Sequence, residues 1–258
     1  MSGFLSKLNL LSPSRIVASD TRSKSVWCDE NDARIYYYLR PRARRISIKI
    51  DVAGRQVAVT VPGSERRLKD AQKFVREKYD WILVQLEAMP TAQPFIEGGE
   101  ILFRGELYRL HSPVARGHPN FDEEQKTIIV PAHPDTLAGR TKRFLIREAR
   151  EALTNCSQVH ASALGKQVDK ISVRDTSSRW GSCVSRKSGN HISYSWRLIC
   201  APPFVLDYVA AHECAHLIHA DHSRNFWNLC DELVGTVKPA KSWLKKHGDK
   251  LHAIGAEQ

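Results

Sequence analysis

"APPFVLDYVAAHECAHLIHADHSRNFW", residues 201–227, opens on two prolines and then spaces Phe204, Val205, Tyr208, Val209 and Leu217 along one side of a helix. Pro202 and Pro203 suit a first helical turn, where a missing amide hydrogen costs nothing. The stretch also holds four histidines and a glutamate between His212 and His222, in a chain with eleven histidines. Four residues advance a helix by about 400°, so His212 and His216 project from one side roughly 6 Å apart, and both can reach one zinc ion at about 2.0–2.1 Å. Glu213, beside the first histidine, can reach a water held by that ion. The pattern is H-E-x-x-H on a helix, the arrangement of zinc peptidases. The plain alternative is an exposed, histidine-rich helix end.

A catalytic zinc takes three protein ligands and leaves one position for water. His219 and His222 compete for the third place. His219 falls in line with the other two on the same helix, an awkward way to surround an ion tetrahedrally. His222 lies beyond the expected helix end at "HAD", where a turn can swing it round, and it is preferred. Ser223 then caps a next helix, "RNFWNLCDELV", with Phe226, Leu229, Cys230 and Leu233 on its core face. Cys214 sits inside the motif but about 200° round the helix from His212, facing away.

At 258 residues the chain can bury a full core in one compound domain or two packed ones. Hydrophobic residues make up 42% and charged residues 26%, and no window approaches the roughly 18–20 apolar residues of a membrane span, which argues against integral membrane association. The first 30 residues read as a loose basic tail and not a secretory signal. Six cysteines are scattered without a C-x-x-C pair, which suggests neither a zinc ribbon nor a disulfide framework and points to a reducing cytoplasm. The net charge of +11 draws acidic partners such as nucleic acid, an anionic membrane surface or acidic peptide.

Elsewhere "ARIYYYLRPRARRISIKID" and "RQVAVTVP" alternate like a β-hairpin, with Arg40, Arg42, Arg44, Arg45 and Lys49 crowding the first strand. These charges serve either to keep a sheet edge from aggregating or to form a basic groove for an acidic partner. "SERRLKDAQKFVREKYDWILVQLEAM" reads as one amphipathic helix capped by Ser64, with Leu68, Ala71, Val75, Tyr79, Ile82 and Leu86 on its apolar face. Two hairpin-like strands follow. Pro131 and Pro134 then mark a change to a long helix, and strand segments turn at "KSGN" before the prolines of the opening stretch. The class is α+β: a tail over 1–30, a β-rich part with one helix over 31–134, and a mixed part over 135–258.

The succession "SSRWGSC", "ISYSWRLICAPPFVLDYVAAHECAH" and "DHSRNFW", over residues 174–227, resembles the YgjP-like zinc metallopeptidases, a bacterial group related to the SprT-like and minimal gluzincin-type peptidases. "RPRARRISIKI" and the helix containing "KYDWI" resemble the family's first half more loosely. The resemblance implies a zincin-like catalytic part, with a small antiparallel sheet beside the active-site helix. It implies one zinc ion on His212, His216 and His222, Glu213 as catalytic base, and a protein or peptide substrate. Arg179, Trp180, Gly181 and Ser182 would be a signature beside that helix, continued by Trp196, Arg197 and Leu198 on the next strand. The chain departs from the pattern at Ser195, where the family has asparagine. Independently of the family, Gly181 permits a turn closed to residues with a Cβ, and Trp180 and Trp196 can pack under the helix. Arg179 and Arg197 are either structural or contacts for a substrate carboxylate or oxyanion.

The implied reaction is peptide hydrolysis: zinc polarises the carbonyl and activates a water, and Glu213 takes its proton and hands it to the leaving amine. A strand near residues 191–197, if at an edge, would let an extended peptide dock by strand addition. The rival reading is a nucleic-acid-associated factor with structural zinc, binding through Arg40, Arg42, Arg44 and Arg45. A ligand set of three histidines with an adjacent glutamate favours the enzyme, because structural zinc usually has four protein ligands including cysteine.

Overall fold

The computed structural model describes residues 15–16, 26–52, 54–114, 116–176, 179–186 and 189–256. They fall into two units, Met1–Met89 and Pro90–Gln258. The mixture of helices and small sheets is the α+β class expected from the sequence.

In the first unit β1 (Arg15–Ile16), β2 (Val26–Cys28), β3 (Ile35–Arg40), β4 (Ser47–Asp51) and β5 (Gln56–Pro62) form a sheet in the order β1-β2-β3-β5-β4. Alternation decides its faces. Ile35, Tyr37 and Leu39 on β3 and Val57, Val59 and Val61 on β5 are buried, and α1 (Leu68–Glu77) and α2 (Tyr79–Glu87) cover them with Ala71, Val75 and Ile82. The run expected as one strand is two, because Pro41 cannot extend the ladder and the amide of Ala43 closes a turn onto the Arg40 carbonyl at 2.9 Å. The hairpin is therefore β4–β5, while β3 lies parallel to β5. The single expected helix is also two, separated at Lys78 (φ −107°, ψ 8°), and Ser64 makes no capping hydrogen bond. Val26 and Trp27 are buried in β2, so the stretch expected as tail contributes a core strand. Residues 1–14 and 17–25 of that tail lie outside the described residues.

The second unit begins with β6 (Glu100–Phe103), β7 (Glu106–His111), β8 (Asn120–Asp122) and β9 (Thr127–Ile129), in the order β6-β7-β9-β8. Then come α3 (Pro134–Ala163), β10 (Lys170–Arg174), β11 (Gly181–Arg186), β12 (Gly189–Ser195), α4 (Pro203–Ala215), α5 (Arg224–Val234) and α6 (Lys238–Ala253). The expected division after residue 134 separates what packing joins. Phe103, Leu110 and Ile128 of the first of these sheets share one core with Phe144, Leu145 and Leu153 of α3, with Phe103 and Phe144 ring centroids 6.1 Å apart. Each such fully buried side chain stabilises the unit by roughly 1.5–3 kcal/mol, so the sheet goes where that burial is.

All three sheets repeat one device: a strand, then a hairpin whose second strand returns parallel to the first. It pairs β3 with β5, β7 with β9, and β10 with β12. The sheet next to the candidate site, β10-β12-β11, is therefore mixed and not antiparallel throughout, and β12 is its centre.

Candidate active site

α4 is buried along Val205, Leu206, Val209, Ala210, Ala211, Cys214 and Ala215, which fixes the direction of His212. The helix ends earlier than "HAD". His216 is its C-cap (φ −66°, ψ −12°), and the chain tightens as the amides of Leu217 and Ile218 bond to Cys214 and Ala215 at 2.9 and 3.0 Å. His222 returns just before α5. Its ring centroid lies 5.2 Å from that of His212 and 4.8 Å from that of His216.

One ring nitrogen from each of His212, His216 and His222 lies within 4.8 Å of the others, and the Nε2 atoms of His212 and His222 are 3.3 Å apart. Two ligands at about 2.05 Å from a tetrahedral ion sit about 3.3 Å from each other, the separation that His212 and His222 show, and three imidazoles are a donor set of the kind that zinc takes. Burial foremost, with His216 and His222 beside it, lowers the pKa of His212 to about 4 and keeps the ring in the neutral, ligating form. His216 Nδ1–H donates to the His219 carbonyl at 3.0 Å, which orients the ring and leaves Nε2 for the centre. His219 thus takes part through its backbone, and its ring lies outside the triad.

Phe226 is the hub beneath the three rings. Fully buried, it lies 4.9, 4.5 and 4.8 Å from the centroids of His212, His216 and His222. Trp227 stacks on His222 at 5.6 Å, with Lys241 Nζ 3.8 Å from the indole centroid. Sequence reasoning read Phe226 only as core. The available signal was its place in the first turn of the helix that follows His222.

Glu213 is 4% exposed, and burial raises its pKa to about 7 against the pull of Arg179. Its carboxylate lies against Gly181 on β11. A Cβ at that position would stand 2.6 Å from Glu213 Cγ and 2.7 Å from Cδ. Gly181 is therefore not a turn residue, as its sequence context implied, but the space into which the glutamate fits.

A cleft of about 440 Å³ runs between β11 and the histidines, lined by Arg179, Gly181, Cys183 and Ser185 on one side and by the triad and Glu213 on the other. Burial holds the Cys183 thiol up at about 11 and so protonated. Cys214 faces away, its Sγ 3.5 Å from the Ser157 carbonyl. Of the two arginines singled out, Arg179 reaches the cleft and Arg197 does not. Arg197 is 2% exposed in a turn (Trp196–Cys200), paired with Asp175 and 4.5 Å from the Trp196 ring centroid. Trp180 stacks on His252 of α6 at 4.5 Å, and Trp196 packs at 6.3 Å from Phe95 in the core that α4 shares. Ser195 is buried and does not line the cleft. Arg40, Arg42, Arg44 and Arg45 belong to the first unit.

Three imidazoles at the mouth of a cleft, with a buried carboxylate beside them, are the equipment of a metal-dependent hydrolase. The chain belongs to the YgjP-like family: its residues 44–247 match the model described as "YgjP-like, metallopeptidase domain". Comparison with curated proteins and with solved structures found no match. Among the described residues no helix is long and apolar enough to cross a membrane.

Proposed function

We propose that the protein is a zinc-dependent peptidase in which His212, His216 and His222 hold one ion and Glu213 is the general base. The observation that carries this reading is the convergence of three ring nitrogens within 4.8 Å, beside a buried carboxylate and at the wall of an open cleft. When bound, zinc supplies Lewis acidity, polarising the scissile carbonyl and acidifying a water. Glu213 accepts a proton from the attacking water and passes it to the leaving nitrogen, a task suited to a carboxyl poised near neutral pH. Arg179, across from Glu213, offers a guanidinium to the developing oxyanion or to a substrate carboxylate.

The substrate docks along β11, not along residues 191–197, since β12 is interior and β11 is the edge. The Ser195 amide donates to the Trp180 carbonyl at 2.8 Å, which sets the phase of the antiparallel ladder. By alternation, the amides and carbonyls of Gly181, Cys183 and Ser185 then point away from β12 and are open to an added strand. Main-chain pairing of this kind gives affinity with little sequence selectivity.

The test is cleavage of a fluorescein-labelled, unstructured protein such as casein by metal-loaded protein. Glu213→Gln should keep one zinc per chain and lose cleavage by at least about 100-fold. Retained cleavage with retained metal would sink the base assignment.

A further inference from the structure

We infer that the face of the first unit's sheet turned away from α1 and α2 binds single-stranded nucleic acid. On β3, Ile35, Tyr37 and Leu39 point to the helices, so Tyr36, Tyr38 and Arg40 point the other way, and all three are partly exposed. On β5, Ala58 and Thr60 alternate with the buried valines and share that face, and on β2 Val26, 4% exposed, pairs with Tyr38 on its other side. The register aligns Tyr36, Ala58 and Lys49 in one row and Tyr38, Thr60 and Ser47 in the next. Two rings therefore stand on one strand, small residues lie beside them, and an exposed lysine follows on the edge strand. Arg44 and Arg45, both exposed, precede that lysine in the β3–β4 loop.

The rings are held in place. The Arg40 guanidinium lies 5.4 Å from the Tyr38 centroid, and Gln56 Nε2 donates to the Tyr38 hydroxyl at 3.2 Å. Residues two apart on a strand stand about 6.6–6.8 Å apart, roughly twice the 3.4 Å rise of a stacked nucleic-acid strand. That spacing suits bases splayed apart, each lying on its own ring. A duplex hides the base faces that such rings need, whereas a single strand offers them. The charge agrees: the first 89 residues hold 17 Lys and Arg against 10 Asp and Glu, +7 of the chain's +11. Charges serving only to guard a sheet edge would need no aromatic pair on an interior strand. Tyr36, Tyr38 and Arg40 precede the matched stretch 44–247, so the aromatic pair lies outside the family match, whereas Arg44, Arg45 and Lys49 lie within it.

The experiment measures fluorescence anisotropy of a labelled oligothymidine of about 20 nucleotides, and of a duplex of similar length, titrated with the full chain at about 50 and 200 mM salt. The single strand should bind at least about tenfold tighter than the duplex, and more weakly at the higher salt. Tyr36→Thr with Tyr38→Thr, which keeps strand-forming residues, should weaken binding about 10-fold or more, whereas Tyr36→Phe with Tyr38→Phe should retain it. Arg44→Ala with Arg45→Ala should flatten the salt dependence. Glu213→Gln should bind as the parent does, which separates this surface from the peptidase reading. Absent binding, equal or tighter binding of duplex, threonine variants that bind unchanged, or competition by polyglutamate equal to that of unlabelled oligothymidine would each overturn the proposal.

Discussion

The Glu213 carboxylate occupies the space that a side chain on Gly181 would fill, its Cδ 2.7 Å from where a Cβ would stand. No real Cβ approaches so closely, so Gly181→Ala must push Glu213 aside. A displacement near 1 Å at a catalytic group can cost about 100-fold in rate. Gly181→Ala should therefore lower kcat by about 10- to 100-fold while one zinc per chain remains bound. Glu213→Ala removes Cγ, Cδ and the carboxylate oxygens together, so adding Gly181→Ala to it should cost far less stability, read by urea unfolding, than it does in the parent. Additive losses in this double-mutant cycle would disprove the steric link.

The choice between His219 and His222 has a direct test in metal stoichiometry. His222→Ala should lose tight zinc binding. His219→Ala should keep it, because the backbone carbonyl of residue 219, which accepts from His216, is still there. Removing the metal with a chelator should lower the melting temperature of the parent and of His219→Ala, and leave His222→Ala nearly unmoved, since an ion that binds only the folded state stabilises it by mass action.

Phe226 packs against the rings of His212, His216 and His222, so under the proposed zinc site it should couple stability to metal affinity. Phe226→Ala should cost about 3–5 kcal/mol. Phe226→Leu keeps most of the volume but not the flat ring edges, and should weaken zinc binding about tenfold while destabilising the protein by only about 1 kcal/mol. Competition against a chromogenic chelator measures the first effect and urea unfolding of the metal-free protein the second.

Much of this arrangement was legible in the residues. Spacing alone placed His212 and His216 on one helix face, and the turn after that helix made His222 the better third ligand. The role of Gly181 was not legible, because it depends on what lies opposite a strand and leaves no mark on local pattern. The in-line placement of His219 that the sequence suggested does not arise, because the helix has already ended at Ala215. Alternation revealed the strands without revealing their partners. The parallel pairing of β10 with β12 puts β11 at the edge, where sequence alone had suggested residues 191–197. Arg197 looked equivalent to Arg179 because both flank signature tryptophans. Burial, the pairing with Asp175 and distance from the cleft separate them.

That pairing yields a prediction with a pH dependence. The Arg197 side chain is 3% exposed and that of Asp175 40%, and Lys142 Nζ joins the carboxylate at 2.6 Å. Burial alone would raise the pKa of Asp175, but the hydrogen bonds and charges of Lys142 and Arg197 outweigh it and leave the pKa below the ordinary value of 3.8. A carboxyl whose pKa is depressed by folding contributes stability that is complete above its unfolded pKa and is lost as pH falls through the folded one. Asp175→Asn leaves the Arg197 charge buried without its partner. It should cost about 2–3 kcal/mol at pH 7, below the roughly 3–5 kcal/mol of a fully buried pair because water reaches the carboxylate. As the pH falls below about 4 the parent loses the same interaction, so the urea midpoints of the two proteins should converge. Because Arg197 stands away from the cleft, Asp175→Asn should leave KM for the casein substrate unchanged under conditions where the protein is folded. A rise in KM with stability intact would return Arg197 to the substrate-binding role that its burial argues against.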